Sequence, residues 1–215
     1  MIITVFGATG RTGSRVVSLL LDAGHRVRAV SRDRKRTGTG GQQGPAPVLG
    51  DLTAGTTALA ELLTGSEAVV NCAGVSSPRS RDLLRVDRDG AIAAVEAARI
   101  TGVRRYVQVS AMPADRADQA PLGFRSYLRA KHEADLVLAR SGLEWTVLRP
   151  GGLTDRSGDG CIALAPALSD GSIPRDDLAA VVVAALAHEA ARNRALDVTS
   201  GTLPVEQALA GLAAG

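Results

Sequence analysis

The chain has 215 residues, of which 45% are hydrophobic, and a net charge of only +3. That length fits one large α/β domain or two small ones, and the apolar share is ample for a core. The aromatics are confined to Phe6, Tyr106, Phe124, Tyr127 and Trp145, and the arginines are dispersed. The core is therefore aliphatic, and there is neither a stacking platform nor a basic face for nucleic acid.

Ile2–Phe6 is a short β-branched run that reads as a buried parallel strand. Gly7-Ala8-Thr9-Gly10-Arg11-Thr12-Gly13 follows at once, and Ser14 to Leu21 carries its apolar residues at helical spacing. Strand, glycine turn and helix in that order open a dinucleotide-binding βαβ unit. Gly7 permits the sharp turn, Gly10 lets a pyrophosphate approach the backbone, and Gly13 lets the helix pack close to the strand. The free N–H groups at the helix start then face the phosphates. The spacing is G-x-x-G-x-x-G, and the plain alternative is an ordinary strand-to-helix turn.

Asp22-Ala23-Gly24 stops the helix, and residues 25–30 form a second strand ending in Ser31-Arg32. An NAD site carries an acidic residue at this strand end. Arg32 there has the fork geometry for a 2′-phosphate, and the basic run continues to Arg36. This favours NADP over NAD; otherwise the run is a charged loop facing solvent. Residues 37–47 read as a surface connection, 47–50 as a short strand closed by Asp51-Leu52, 56–63 as a helix, and 67–72 as a fourth strand that turns away at Ala73-Gly74.

Residues 80–100 have helical periodicity, with Gly90 inside at a cost of about 1 kcal/mol relative to Ala, which a close backbone or ligand approach would explain. A fifth strand spans 104–110 and ends on Ser110. After an irregular stretch, 111–123, comes a helix over 124–140, then a sixth strand, 144–148, broken by Pro150-Gly151-Gly152. Residues 151–174 read as a loop over the active face. Asp177 is placed as the cap of a helix over 178–187, followed by a seventh strand, 195–198, and a closing helix, 204–212. The expected fold is an α/β, Rossmann-type doubly wound parallel sheet of about seven strands with helices on both faces. It forms one domain, 1–215, with a small lid within 151–175.

Tyr127 and Lys131 stand four apart on the helix over 124–140 and so share a face. A free phenol titrates near 10; a neighbouring ammonium lowers that value and makes the hydroxyl a proton donor and acceptor for hydride chemistry at a carbonyl. Lys131 can also hold the nicotinamide ribose. Ser110, at the carboxyl end of its strand, is placed to hydrogen-bond the substrate oxygen. The alternative is a packed ring with a snorkelling lysine. Cys72 and Cys161 have no metal-ligand spacing, and no metal site is expected. No apolar run reaches membrane-spanning length and no leader precedes the first strand, so a cytoplasmic location is expected.

With GATGRTG at Gly7–Gly13, the Tyr127-x-x-x-Lys131 pair, Leu148-Arg149-Pro150-Gly151-Gly152-Leu153 and Pro174-Arg175-Asp176-Asp177-Leu178-Ala179, the chain resembles the atypical short-chain dehydrogenase/reductases over essentially its whole length. Within them it is similar to the small NAD(P)H-binding subgroup labelled NAD-dependent epimerase/dehydratase, which neighbours the NmrA-like proteins and biliverdin reductase B. The resemblance implies NADP(H) binding, with Gly7, Thr9, Gly10, Arg11, Thr12 and Gly13 at the phosphates and Arg32 at the 2′-phosphate. It implies Asp51 and Leu52 at the adenine, Ala73 and Gly74 at the ribose, and Pro150 and Gly151 at the nicotinamide. It implies Ser110, Tyr127 and Lys131 as the catalytic trio. Asp87 stands where members with a full tetrad carry asparagine; it either joins the proton relay or pairs with a charge inside the helix. The expected activity is NADP-dependent hydride transfer to or from a small carbonyl or alcohol substrate, by a monomer or homodimer. The alternatives are an NADP(H)-binding sensor without turnover, a flavin- or biliverdin-type reductase that needs no tyrosine, and an epimerase or dehydratase. Residues 151–215 leave too little room for a bulky nucleotide-sugar.

Overall fold

The computed structural model describes residues 1–33 and 44–213. In chain order these form β1 (Ile2–Phe6), α1 (Arg11–Asp22), β2 (Arg26–Ser31), β3 (Ala46–Leu49), α2 (Thr56–Leu63) and β4 (Ala68–Asn71). A π-helical segment, Leu84–Gly90, then runs into α3 (Ala91–Ile100), followed by β5 (Arg105–Val109), a 3-10 segment (Ala114–Gln119), α4 (Leu122–Ala139) and β6 (Glu144–Pro150). The chain continues through β7 (Gly152–Thr154), β8 (Cys161–Ala165), β9 (Ser172–Pro174), α5 (Arg175–Ala187), β10 (Arg194–Ser200), β11 (Leu203–Pro204) and α6 (Val205–Gly211).

Nine strands form one sheet in the order β11-β8-β10-β6-β5-β4-β1-β2-β3, and β7 pairs with β9 apart from it. The run from β3 through β10 is parallel, whereas β8 pairs antiparallel with both β10 and β11. From β1 the chain winds outward through β2 and β3, then returns to the other side of β1 at β4. Strand order therefore reverses between β1 and β4, where an open α/β sheet leaves a crevice at its carboxyl edge.

Alternating side chains of the buried strands build two cores. Val70, Val107 and Leu148 face Val16 and Leu20 of α1 and Leu178 and Val182 of α5. Their neighbours Val69, Tyr106 and Val147 point the other way, onto Leu59 and Leu63 of α2, Ala94 and Ala98 of α3, and Leu138 of α4. Each fully buried Val or Leu among them contributes about 1.5–3 kcal/mol. Helices thus cover both faces of the doubly wound sheet, as expected.

The departures lie mostly in the carboxyl-terminal half. The stretch expected to be a loop, 151–174, holds β7, β8 and β9, which together with β11 raise the strand count above seven. These strands have two to five residues each, separated by glycine and proline, too short for alternation to register. Asp177 is not the cap of α5. The helix begins at Arg175, and Asp177 is buried within it, its carboxylate accepting the Gly160 N–H at 2.9 Å. The expected single helix over 80–100 starts at Leu84 with a π turn. Gly90 sits there because an added Cβ would lie 3.0 Å from the Leu52 carbonyl oxygen. The basic run beyond Asp33, Arg34 to Arg36, falls outside the described residues, as does most of the 37–47 connection.

Candidate active site

The crevice at the strand reversal is a cleft of about 410 Å³. Gly7 turns off β1 with φ at +72°, and a Cβ there would come within 2.7 Å of the Ala73 backbone nitrogen. Gly13 lies against the same turn, where a Cβ would come 2.1 Å from the Gly7 carbonyl oxygen. Two chain segments and a helix therefore meet at a distance that only glycine permits. Helix α1 starts at Arg11 with Gly10, which lines the cleft, as its N-cap, and no side chain caps its first N–H groups. Of the residues expected at the cofactor, Gly7, Thr9, Gly10, Arg32, Asp51, Leu52, Ala73 and Gly74 line the cleft. Arg11, Thr12 and Gly13 do not; the Arg11 side chain pairs with Asp155 at 2.8 Å. Ser76, Ser80 and Asp82 also line the cleft. They come from the irregular segment after β4, which extends through Ser80 and Asp82, where the sequence reading expects the start of a helix.

Beyond Ala73 and Gly74 the cleft meets a buried ion pair. Lys131 Nζ lies 3.0 Å from Asp87 Oδ1, with the two side chains 7% and 0% exposed. The same ammonium reaches the Val109 carbonyl at 3.2 Å and the Ala73 carbonyl at 3.4 Å, so each of its three protons has an oxygen partner. Asp87 also accepts the Val75 N–H at 3.0 Å, which holds the Ala73–Val75 turn in place. Asp87 is therefore an ion-pairing residue, carried by the π turn to the foot of Lys131. Burial alone would lower the Lys131 ammonium, but Tyr127, Asp87 and Asp135 outweigh it and the group titrates above its ordinary value. The expectation for Tyr127 is corrected. Its phenol is raised rather than lowered, because burial exceeds the opposing pull of Lys131, and Asp87 and Asp135 add to the rise.

Ser110 is held by a residue that the sequence reading missed. Its hydroxyl donates to Asp135 Oδ2 at 2.7 Å, while Gln108 Nε2 donates to the other carboxylate oxygen at 3.1 Å. Asp135 is 3% exposed, and Arg149 lies 3.5 Å away and also pairs with Asp115 at 2.8 Å. Gln108 accepts in turn from Asn71, whose side chain also takes the Ala73 N–H at 3.0 Å. A hydrogen-bonded chain thus runs from the cleft wall to Ser110. Burial raises the Asp135 carboxyl against the opposing effects of Ser110, Arg149, Gln108 and Lys131. The available signal was spacing: Tyr127, Lys131 and Asp135 follow at intervals of four on α4.

A second cavity, of about 390 Å³, adjoins this network and takes in Ser110, Tyr127, Pro150 and Gly151. Four of the six residues expected at the reacting centre and nicotinamide therefore share one pocket. Lys131 and Asp87 stand behind it as a buried pair. Among the described residues, no cluster of metal-ligating side chains and no helix long and apolar enough to cross a membrane is present.

Residues 7–189 match the NAD(P)H-binding family profile. The chain is 37% identical over 211 residues to the uncharacterized sugar epimerase YhfK of Bacillus subtilis, covering 97% of this chain and 99% of that protein. In fold it is similar to the oxidoreductase ylbE of Lactococcus lactis, with a TM-score of 0.92 at 24% identity over 100% of this chain and 98% of that one. It also shares its fold with a wide-type short-chain dehydrogenase/reductase of Veillonella parvula solved in complex with NADP. That TM-score is 0.73 at 18% identity, covering 93% of this chain and 94% of that one.

Proposed function

This chain belongs to the NAD(P)H-binding family, and from that premise we propose that it is an NADP(H)-dependent oxidoreductase acting on a small carbonyl or alcohol. The observation that carries the reading is the reach of Lys131 between two cavities. Its ammonium contacts the carbonyl of Ala73, which lines the glycine-bounded cleft, and that of Val109, next to Ser110 in the pocket that also holds Tyr127. The bound nicotinamide supplies hydride to a carbonyl carbon, or takes it from an alcohol.

The protein's part is positioning and proton handling. The first N–H groups of α1 bind the pyrophosphate, and Arg32 forks onto the 2′-phosphate. Tyr127 gives its proton to the carbonyl oxygen as the hydride arrives, and its raised pKa keeps the phenol protonated at neutral pH. The Lys131 ammonium then stabilises the phenolate left behind. When the cofactor is bound, Lys131 would also hold the nicotinamide ribose from the side where it reaches the Ala73 carbonyl at 3.4 Å. Asp87 keeps Lys131 aimed. Ser110 has committed its proton to Asp135, so it presents its oxygen lone pairs and accepts a hydrogen bond from the product hydroxyl.

The name of the Bacillus subtilis relative favours a second reading, epimerisation, in which the same residues act on a transient ketone. A titration separates NADP from NAD. NADPH binds more tightly than NADH, and Arg32→Ala weakens NADPH about 10- to 100-fold, the worth of one charge-assisted contact, while NADH is unchanged. Equal affinities for the two cofactors would remove the 2′-phosphate assignment. Oxidation of NADPH across a carbonyl panel tests turnover.

A further inference from the structure

The pocket beside Tyr127 carries information about its occupant that the cofactor cleft does not. Its walls include Met112, Phe124, Leu128 and Leu153. The side-chain hydrogen-bonding groups on its lining are the Ser110 and Tyr127 hydroxyls; no charged, amide or imidazole side chain lines it.

The backbone of the lining offers a polar guest few donors, the Ala111 N–H being the one outside regular helix and strand bonding that takes no backbone partner among the described residues. Pro113, Pro121 and Pro150 have no N–H to offer. The Ser110 N–H is taken by the Leu148 carbonyl, Met112 by Pro150, and Phe124 by Pro121. Gly151 and Gly152 are taken by Val198 and Gly171. Every one of these donors is committed to holding the fold. A polyhydroxylated molecule entering here would leave several hydroxyls stripped of water and unpaired, which is unfavourable for each of them. At the mouth, Phe124 is 49% and Leu153 37% exposed, so the apolar lining continues out to the rim.

We propose that this pocket takes an uncharged molecule with a single carbonyl or hydroxyl group and an otherwise apolar body, such as an aliphatic or aromatic aldehyde, ketone or the matching alcohol. Sugars and charged oxoacids are excluded. The assignment rests on the oxidoreductase reading for its chemistry, but the ligand class follows from the lining alone. The polar group sits at Ser110 and Tyr127, and the apolar body runs along Leu128 toward Phe124. A volume of about 390 Å³ stands near the lower end of the usual range for ligand pockets, about 300–1,000 Å³.

The test uses the full chain with two readouts. Binding of straight-chain ketones and of benzaldehyde to the NADP⁺-saturated protein is measured by calorimetry, beside glucose and pyruvate as the polar and charged probes. NADPH oxidation is followed with the same set. Affinity rises about fourfold per added methylene until the pocket is full, and the apolar carbonyls exceed glucose and pyruvate by at least about 100-fold. Phe124→Asp and Leu153→Asp, both on the exposed rim, weaken apolar ligands about tenfold or more while NADPH affinity, which reports folding, stays unchanged. Glucose or pyruvate binding as well as the ketones would overturn the assignment, as would apolar binding indifferent to both rim variants or no apolar binding at all. Apolar binding that responds to the rim variants, without NADPH oxidation by any probe, supports the ligand class and overturns the oxidoreductase reading instead.

Discussion

At Gly7 and Gly13 the backbone comes close because nothing stands in the way, whereas at Lys131 and Asp135 the geometry is held by buried charges gripping one another. The glycine turn works by absence: a single Cβ at Gly13 would sit 2.1 Å from a carbonyl oxygen. The face of α4 that carries Lys131 and Asp135 works by presence: Lys131 has three oxygen partners, and Asp135 has Ser110, Gln108 and Arg149 around it. The first device leaves donors free for a ligand that brings its own charge. The second pairs its charged groups with one another, and the Ser110 and Tyr127 hydroxyls line the adjoining pocket.

The two devices fail differently when disturbed, and the largest effect belongs to the charged one. Lys131→Met leaves Asp87 buried without its counterion, and the expected loss is about 3–5 kcal/mol of stability, read as the midpoint of urea unfolding. A loss below about 1 kcal/mol would mean that water reaches Asp87 and that the pair does not hold the site. Gly13→Ala forces the first turn of α1 away from β1, at about 1–3 kcal/mol for overpacking, and weakens NADPH binding as the helix start moves. Unchanged binding would show that the phosphates do not depend on that approach. The smallest effect is a pH dependence at Asp135. Its folded-state carboxyl titrates above the ordinary value of 3.8, so the folded protein binds that proton more tightly than the unfolded chain. Stability from this group is fully present below 3.8 and is lost as pH rises through the raised value. Asp135→Asn flattens that part of the stability–pH curve, and a curve unchanged by the substitution would contradict the raised carboxyl.

The same contrast explains what could be read in the sequence. The glycine turn is local: strand, turn and helix lie within the first 22 residues, and their order alone locates the cleft. Tyr127 and Lys131 were legible because a helix converts a spacing of four into a shared face. Asp135 continues that face, but an acidic residue on a helix looks the same in sequence whether solvated or buried. What separates the two cases is Gln108 on β5, Ser110 just past its end and Arg149 on β6, brought in by the sheet. The direction of the Tyr127 shift was misjudged for the same reason: the lysine is visible in the sequence and the desolvation is not. Strands β7, β8 and β9 were read as loop because their glycines and prolines punctuate segments too short to show a period.

The central claim is that Tyr127 handles a proton at a carbonyl beside bound NADPH. It is tested most directly by steady-state NADPH oxidation, with one accepted apolar carbonyl, by the wild type and Tyr127→Phe. The substitution removes a hydroxyl that takes no protein partner among the described residues, so the fold and NADPH affinity are preserved. The predicted result is a fall in kcat of about 100- to 10,000-fold, the usual contribution of a general acid. Turnover undiminished in Tyr127→Phe would contradict the claim and leave cofactor placement alone as the source of hydride transfer.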